Sequence, residues 1–423
     1  MFDLKGLRSL PFGMLDIKLI RTNPEKIREL CKRRSSPVDF DNLLLQDQRV
    51  RSLTTQLETL RAQRKGGASA ADREAAIRVR GEITELEGEL REALAERDRL
   101  LSWVPNLLAD DTPIGEDDRG NVQLYTWGDP VKKDFTMSTH EIVGQRLGIM
   151  DEERGAKVAG SGFSYWIGDG ARLAWGLFSL ALDYLAQRGF RQMFTPVVAK
   201  ERTLYGTGYL PFFPDQIYRL EGDDLNLIGT SEQTMVAYHG DELVAAQKLP
   251  LLYTAFSPCF RTEAGSHGRE TRGLFRQHQF HKVEQIVFCN PEASDDWLEQ
   301  CRANAEAILQ LLELPYRVVR VCDGDMGAPG YKKYDIEAWF AGYGGYRETH
   351  SITNLTDFQT RRLNTRCKTP DGTFFPHTIS ATMITDRALL ALIENNQRAD
   401  GRVDIPKALQ PFVGGRSEIE PVS

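Results

Sequence analysis

The chain has 423 residues, with 53 Lys and Arg against 60 Asp and Glu, 41% hydrophobic residues and a formal net charge of −7. At ~150 residues per domain, that length allows two or three domains, each able to bury its own core. The charge excludes a protein coated all over in basic surface but not a local nucleic-acid footprint, and no apolar run approaches the ~18 residues of a membrane span.

The opening MFDLKGLRSLPFG has only short apolar stretches and lacks the apolar segment of a signal peptide. It reads as an extension ahead of MLDIKLI, where Met14 is a possible alternative start. Residues 1–40 carry nine Lys/Arg and five Asp/Glu, residues 43–101 carry eleven of each, and the acidic excess lies in the C-terminal three quarters.

Leu43, Val50, Leu53, Leu57 and Leu60 recur at spacings of three, four and seven. After RKGGASAAD the pattern resumes at Ala76, Val79, Ile83, Leu86, Leu90, Ala93, Arg97 and Leu100. A narrow apolar stripe among charges predicts an antiparallel coiled-coil hairpin over about 42–101, each helix roughly 35–45 Å long. Gly66-Gly67 would supply the turn, and Asp72 could cap the second helix. WVPN (103–106) and DDTPIGEDDRGN (110–121) break helix and predict a division into residues 1–108 and 109–423.

Beyond residue 125, helical patterns such as 177–189 alternate with aromatic and β-branched runs at 190–198, 252–263 and 276–288. Without strict βα alternation they predict an α+β domain on an antiparallel sheet. There is no G-x-x-x-x-G-K-[ST] loop, no strand–G-x-G-x-x-G–helix unit and no G-x-S-x-G elbow. Six scattered cysteines (31, 259, 289, 301, 322, 367) without C-x-x-C fit reduced thiols of a cytosolic protein, and no zinc is expected. His278 and His281 fall on alternate strand faces with no third ligand evident.

The segment CFRTEAGSHGRETRGLFRQHQFHKVE (259–284) is polar throughout. As a hairpin with period two, it puts Arg261 and Glu263 on one face of the first strand. The same period gathers Arg276, His278, Phe280, Lys282 and Glu284 on one face of the second. Arginine forks can bind phosphate or carboxylate, a phenylalanine can stack on a base, and glutamates can accept from an amine. Charges pairing across a solvated strand face would give the same pattern, and periodicity alone leaves both readings open.

The hairpin resembles motif 2 of class II aminoacyl-tRNA synthetases, and FRTEAG…TRGLFRQHQFHKVE resembles the seryl-tRNA synthetase family. Further matching segments run along nearly the whole chain. They include MLDIKLIRTNPEKIRE, LYGTGYLP, GTSEQ, GDMGAPGYKKYDIEAWF, YRETHSITNLTDFQTRR and DRALLALIENNQ. The resemblance implies ATP-dependent activation of L-serine, transfer to tRNA(Ser), bound Mg²⁺, a cytoplasmic homodimer and no membrane association. Arg261 is then expected between the serine carboxylate and the α-phosphate of ATP, Glu263 at the adenine amino group, and Phe280 on the adenine ring. Arg276 and Arg387 would hold the phosphates, and Glu348 with Ser351 the metal, which requires a bulge between these two residues. Thr230, Glu232 and Glu284 are expected to bind the amino acid, with Ser380 and Thr382 alongside. Arg61, Arg64 and Lys65 on the arm and Arg269 and Arg272 in the hairpin loop are expected to meet tRNA, and Pro196 matches the dimer-forming motif 1.

Two features depart from the family. Ser380-Ala381-Thr382 stands where Asn-Gly-Ser/Thr is expected, and Ser380 offers one donor in place of an amide's two. The arm is charge-balanced and about ten residues shorter than the bacterial pattern. Beside a catalytic synthetase, including a specialised or self-resistance copy, two alternatives stay open: a ligase that loads a carrier protein or small molecule, and a non-catalytic tRNA-binding paralogue.

Overall fold

The computed structural model describes residues 15–63, 70–264 and 273–422. It divides into two compact units, residues 1–105 and 106–423.

The first unit is helical: α1 (Ile17–Thr22), α2 (Pro24–Arg33), α3 (Phe40–Gln63) and α4 (Ala70–Leu101). The last two pair as the predicted hairpin, with 24 and 32 residues. The expected stripe forms the seam: Leu43, Val50, Leu53 and Leu57 are buried on one side, and Ile83, Ala93 and Leu100 on the other. At its base, Arg21 grips the buried carboxylate of Asp47 with two bonds of 2.7 Å. The turn residues Gly66 and Gly67, and the side chain of Asp72, lie outside what is described.

The second unit is built on an eight-stranded sheet. In chain order its strands are β1 (Val122–Trp127), β2 (Arg191–Met193), β3 (Leu251–Phe260), β4 (Gln279–Cys289), β5 (Tyr316–Arg320), β6 (Lys332–Phe340), β7 (Gly345–Thr356) and β8 (His377–Thr385). Their spatial order is β1-β5-β6-β7-β8-β4-β3-β2. Every neighbouring pair is antiparallel except β2 with β3, which is parallel. The run 190–198, expected as one strand, splits: Arg191–Met193 joins this sheet, and Val198–Lys200 pairs with Leu225–Leu227 instead. Pro196 between them cannot donate to a ladder.

The helices are α5 (His140–Leu147), α6 (Glu152–Ala159), α7 (Asp169–Ala186), α8 (Glu201–Gly206), α9 (Glu232–Ala237), α10 (Ser294–Leu311), α11 (Phe358–Arg362) and α12 (Asp386–Asn395). The pattern predicted from residue 177 thus begins eight residues earlier. In α7, Leu173, Leu177, Leu180, Ala181 and Leu185 recur at helical spacing and are buried. They join α10, α12 and one sheet face in the main core.

Strand β6 shows how the sheet separates core from site. Tyr334, Ile336, Ala338 and Phe340 belong to the main core, while Lys333, Asp335 and Glu337 take the opposite face. On β4 that second face carries Phe280, Lys282 and Glu284. Farther along it becomes apolar at Ile286 and Phe288, which pack with Met235 and Val236 of α9.

Candidate active site

The polar sheet face forms the floor of a cleft of about 340 Å³. Arg261, Glu263, Arg276, Phe280, Glu348, Ser351 and Arg387 line it together with Glu232, Glu284, Ser380 and Thr382. Residues from six segments, separated by up to 155 positions in the chain, are thereby brought together.

Strand alternation is responsible for only part of this. Phe280, Lys282 and Glu284 point into the cleft from β4 as period two requires. Arg261 and Glu263 do not lie on the first strand: β3 stops at Phe260, and Glu263 has a positive φ of 51°. Arg276 and His278 likewise precede β4, which begins at Gln279. Because the chain is not extended there, Arg276 reaches the cleft but His278 turns away. His278 stacks on Phe163 at 5.4 Å, and its Nδ1 lies 2.8 Å from the Tyr218 hydroxyl. The backbone still closes the hairpin, with the Arg261 N–H donating to the His278 carbonyl at 3.0 Å.

The bulge required between Glu348 and Ser351 is present. Ile336 pairs with His350 and Glu337 with Glu348, which leaves Thr349 as the extra residue. Both Glu348 and Ser351 therefore face the cleft.

At one end, cations and aromatic surface dominate. The Arg261 guanidinium carbon stands 5.1 Å from the Phe280 ring centroid, and Arg276 Nη1 is 3.4 Å from Glu263 Oε2. Arg387 is the second residue of α12, just after the Thr385 cap. It donates through Nε and Nη2 to the Phe275 carbonyl at 3.3 and 3.2 Å, and through Nη1 to the Glu348 carbonyl at 2.8 Å. Burial pushes the Glu348 carboxyl up, but Arg387, Lys333 and Arg261 outweigh it and hold its pKa below the usual range. Burial opposes the charge on Arg261, yet Tyr209, Cys259, Glu263 and Glu348 raise its pKa further.

The other end holds two carboxylates and one ammonium. Lys282 forms an ion pair with Glu284, whose Oε1 accepts from the Ser380 hydroxyl at 2.9 Å. Glu232 Oε1 accepts from Gln359 Nε2 at 2.7 Å. Burial, reinforced by Glu284, raises the Glu232 pKa. Burial works against Lys282, but Glu284, Cys259 and Tyr209 leave its pKa raised. Two carboxylates beside one ammonium leave acceptor oxygens for a small cationic ligand such as an α-ammonium group. Thr230 is not among the lining residues: it is fully buried, and its hydroxyl accepts the N–H of Glu232 at 3.2 Å, at the start of α9.

Sequence reasoning assigned no role to Lys333 or Gln359. Lys333 lines the cleft and pairs with Asp335 at 3.0 Å. Period two along KKYDIE would have placed it there. Gln359 sits in α11 and had no such signal. Of the residues expected to meet tRNA, Arg61 pairs with Glu87 across the arm at 2.8 Å. Arg64, Lys65, Arg269 and Arg272 lie outside the described residues.

A family model for the seryl-tRNA synthetase N-terminal domain matches residues 14–108, and one for the tRNA synthetase class II core domain (G, H, P, S and T) matches residues 217–396. A serine–tRNA ligase of Pseudothermotoga lettingae is 40% identical over 95% of this chain and 99% of its own. One of Rubrobacter xylanophilus is 41% identical over 95% and 98%. The crystal structure of seryl-tRNA synthetase from Pyrococcus horikoshii complexed with ATP superposes with a TM-score of 0.92 at 37% identity, covering 97% of this chain and all of that one.

Proposed function

The chain belongs to the seryl-tRNA synthetase family, and from that premise we propose that it activates L-serine with ATP to seryl adenylate and transfers the seryl group to tRNA(Ser). The observation that carries this reading is a single cleft with a cationic, phenylalanine-bearing end and a carboxylate-rich end. The first suits a nucleotide triphosphate and the second an amino acid. Arg261, over the Phe280 ring and lining the same cleft as Glu232 and Glu284, is assigned to bridge the serine carboxylate and the α-phosphate.

The first step needs no general base, because an amino-acid carboxylate with a reference pKa of about 3.5 is already ionised at neutral pH. Arg261 aligns it with the α-phosphorus, Phe280 carries the adenine ring and Glu263 accepts from its amino group. Arg276 and Arg387 neutralise the charge that develops as pyrophosphate leaves. Glu232 and Glu284 hold the ammonium and hydroxyl of serine, with Ser380 and Thr382 completing that pocket. Glu348 and Ser351 offer one ionised carboxylate and one hydroxyl, an oxygen donor set that fits Mg²⁺ shared with phosphates and water. When bound, Mg²⁺ would add charge neutralisation on the phosphates. The ribose hydroxyl of the tRNA 3′ end then attacks the acyl carbon of the adenylate, the bond from that carbon to the phosphate oxygen breaks, and AMP leaves with the hydroxyl proton passing to its phosphate or to water.

Residues 1–108 are assigned to tRNA binding and 109–423 to catalysis. Relatives named serine–tRNA ligase over 95% of the chain favour tRNA as acceptor over a carrier protein. We also assign a homodimeric, cytoplasmic state. Among the described residues, no helix is long and apolar enough to cross a membrane.

The test is amino-acid-dependent ATP–pyrophosphate exchange across the standard amino acids, followed by charging of tRNA(Ser) transcripts. Exchange with serine and charging of tRNA(Ser) is the expected result. No exchange with any amino acid would refute activation, and exchange without charging would point to a different acceptor.

A further inference from the structure

Behind the cationic end of the cleft lies a buried pair that the proposed chemistry does not use. His140 opens α5 and Glu394 lies near the end of α12; both have no exposed surface. Glu394 Oε1 accepts the His140 backbone N–H at 3.0 Å and faces ring Nδ1 at 2.7 Å. Its Oε2 accepts the N–H groups of Gly342 at 2.8 Å and Tyr343 at 3.3 Å. Position 342 requires glycine, since a Cβ there would stand 2.3 Å from the Ser138 carbonyl oxygen.

With Nδ1 against a carboxylate, the imidazole carries its proton there and leaves Nε2 as an acceptor. Nε2 takes the backbone N–H of Leu274 at 3.2 Å. The nearest Glu141 carboxylate oxygen is 3.7 Å from Nε2, beyond hydrogen-bonding reach, and it is engaged by the Tyr343 hydroxyl. The Phe275 ring meets His140 edge-on at 4.9 Å.

Leu274 and Phe275 line the cleft, and the Phe275 carbonyl is the one that receives two bonds from Arg387. Arg387 stands in the first turn of the helix whose far end carries Glu394. The contacts therefore close a ring: Arg387 to Phe275, along the backbone to Leu274, to His140, to Glu394, and back along α12.

We propose that His140 is a positioning residue for ATP binding. By holding Leu274 it fixes the Phe275 carbonyl, and through that carbonyl it sets the direction of the Arg387 guanidinium. It touches no substrate. The amino-acid end has separate supports in Gln359, Lys282 and Ser380. The proposal rests on the cleft being an ATP site.

Two substitutions separate this role from a purely structural one. In H140N the amide nitrogen lies where Nδ1 was and keeps the bond to Glu394, but nothing replaces Nε2. In H140Q the amide reaches the Nε2 position and can accept from Leu274, while the donation to Glu394 is lost. The measurements are thermal stability, calorimetric ATP affinity, and KM for ATP and for serine in pyrophosphate exchange. H140N should raise the ATP Kd and KM about tenfold while the serine KM stays within about twofold. H140Q should stay within about threefold of wild type for ATP although it is the less stable variant. Unchanged ATP affinity in H140N, parallel rises for both substrates, or stability and ATP affinity falling in the same order would overturn the proposal. So would an H140N that does not fold, with or without H140Q. Should only H140Q fail to fold, the split between substrates in H140N still decides. A wild-type protein that binds ATP without serine-dependent exchange would remove the proposed function alone, because calorimetry still tests His140. One that binds no ATP would remove both.

Discussion

His350 Nε2 donates to the carbonyl oxygen of Met383 across 3.0 Å, and this bond joins two β-bulges. Met383 is the extra residue between Thr382, which pairs with Glu284, and Ile384, which pairs with Val283. Thr349 is the extra residue in β7, and its hydroxyl meets His350 Nδ1 at 2.8 Å. One bulge turns both Glu348 and Ser351 toward the cleft. The other resets the strand ahead of Thr385 and Arg387. In the neutral ring Nε2 is the donor and Nδ1 the acceptor, and the single proton of the Thr349 hydroxyl is shared between Nδ1 and the Ile336 carbonyl 3.1 Å away.

Burial holds the His350 pKa down to about 4 from an ordinary 6.5. Because the folded value lies below the unfolded one, the ring's contribution is fully present above pH 6.5. It is lost as pH falls toward 4, by roughly 3 kcal/mol in all. H350Q keeps a donor for Met383 and cannot titrate. Its urea-unfolding free energy should therefore decline less than that of the wild type between pH 7 and pH 4. Equal declines in the two proteins would contradict this account of the ring.

Arg261, whose guanidinium carbon stands 5.1 Å from the Phe280 ring centroid, is the proposed α-phosphate contact. R261A should reduce serine-dependent pyrophosphate exchange by at least about a hundredfold, the scale on which transition-state charge contacts act. Light scattering should find its dimer intact. Near-normal exchange would show that another group holds the α-phosphate.

Legibility in the sequence followed regularity of the backbone. The heptad stripe from Leu43 to Leu57 and the alternation of Phe280, Lys282 and Glu284 could be read from spacing, whereas the bulge between Glu348 and Ser351 followed only from the family resemblance that puts both residues at the metal. Arg261, Glu263, Arg276 and His278 could not be placed this way. Their stretches leave the ladder at Phe260 and rejoin it at Gln279, and alternation carries no mark of where a ladder ends. Gln359 was invisible for another reason. Its side chain acquires meaning only when α11 meets Glu232, 127 positions earlier.

That contact makes Gln359 a test of the proposed amino-acid end. Its Nε2 also donates to the Thr207 carbonyl at 3.2 Å, and its Oε1 accepts from the Thr378 hydroxyl at 2.9 Å. Q359L would strip a donor from the buried Glu232 carboxylate and raise that group's pKa further. The serine KM in exchange should rise about tenfold with the ATP KM unchanged, in line with losing a bond to a buried charged group. A rise confined to ATP would place Glu232 in a different role.

The proposed dimer should reach into the site. Trp175 on α7 is 64% exposed and Phe194 is wholly so, and Phe194 lies two residues before Pro196, which the family resemblance puts at the dimer-forming motif. Trp175 packs on Phe256 with centroids 5.5 Å apart, and Phe256 stacks flat on His281 at 5.7 Å. His281 Nδ1 lies 3.2 Å from a carboxylate oxygen of Asp386, the residue before Arg387. Burial opposes protonation of His281, but Asp386 outweighs it and raises the ring's pKa. Covering Trp175 would therefore steady the turn that presents Arg387. The double variant W175E/F194E should run as a monomer by light scattering, where the wild type should weigh twice the 47.8 kDa chain. Its exchange activity should fall more through the ATP KM than through the serine KM, because the chain of contacts ends at Arg387 and not at Glu232. A monomer with wild-type kinetics would show that the assembly supports the fold without reaching the site.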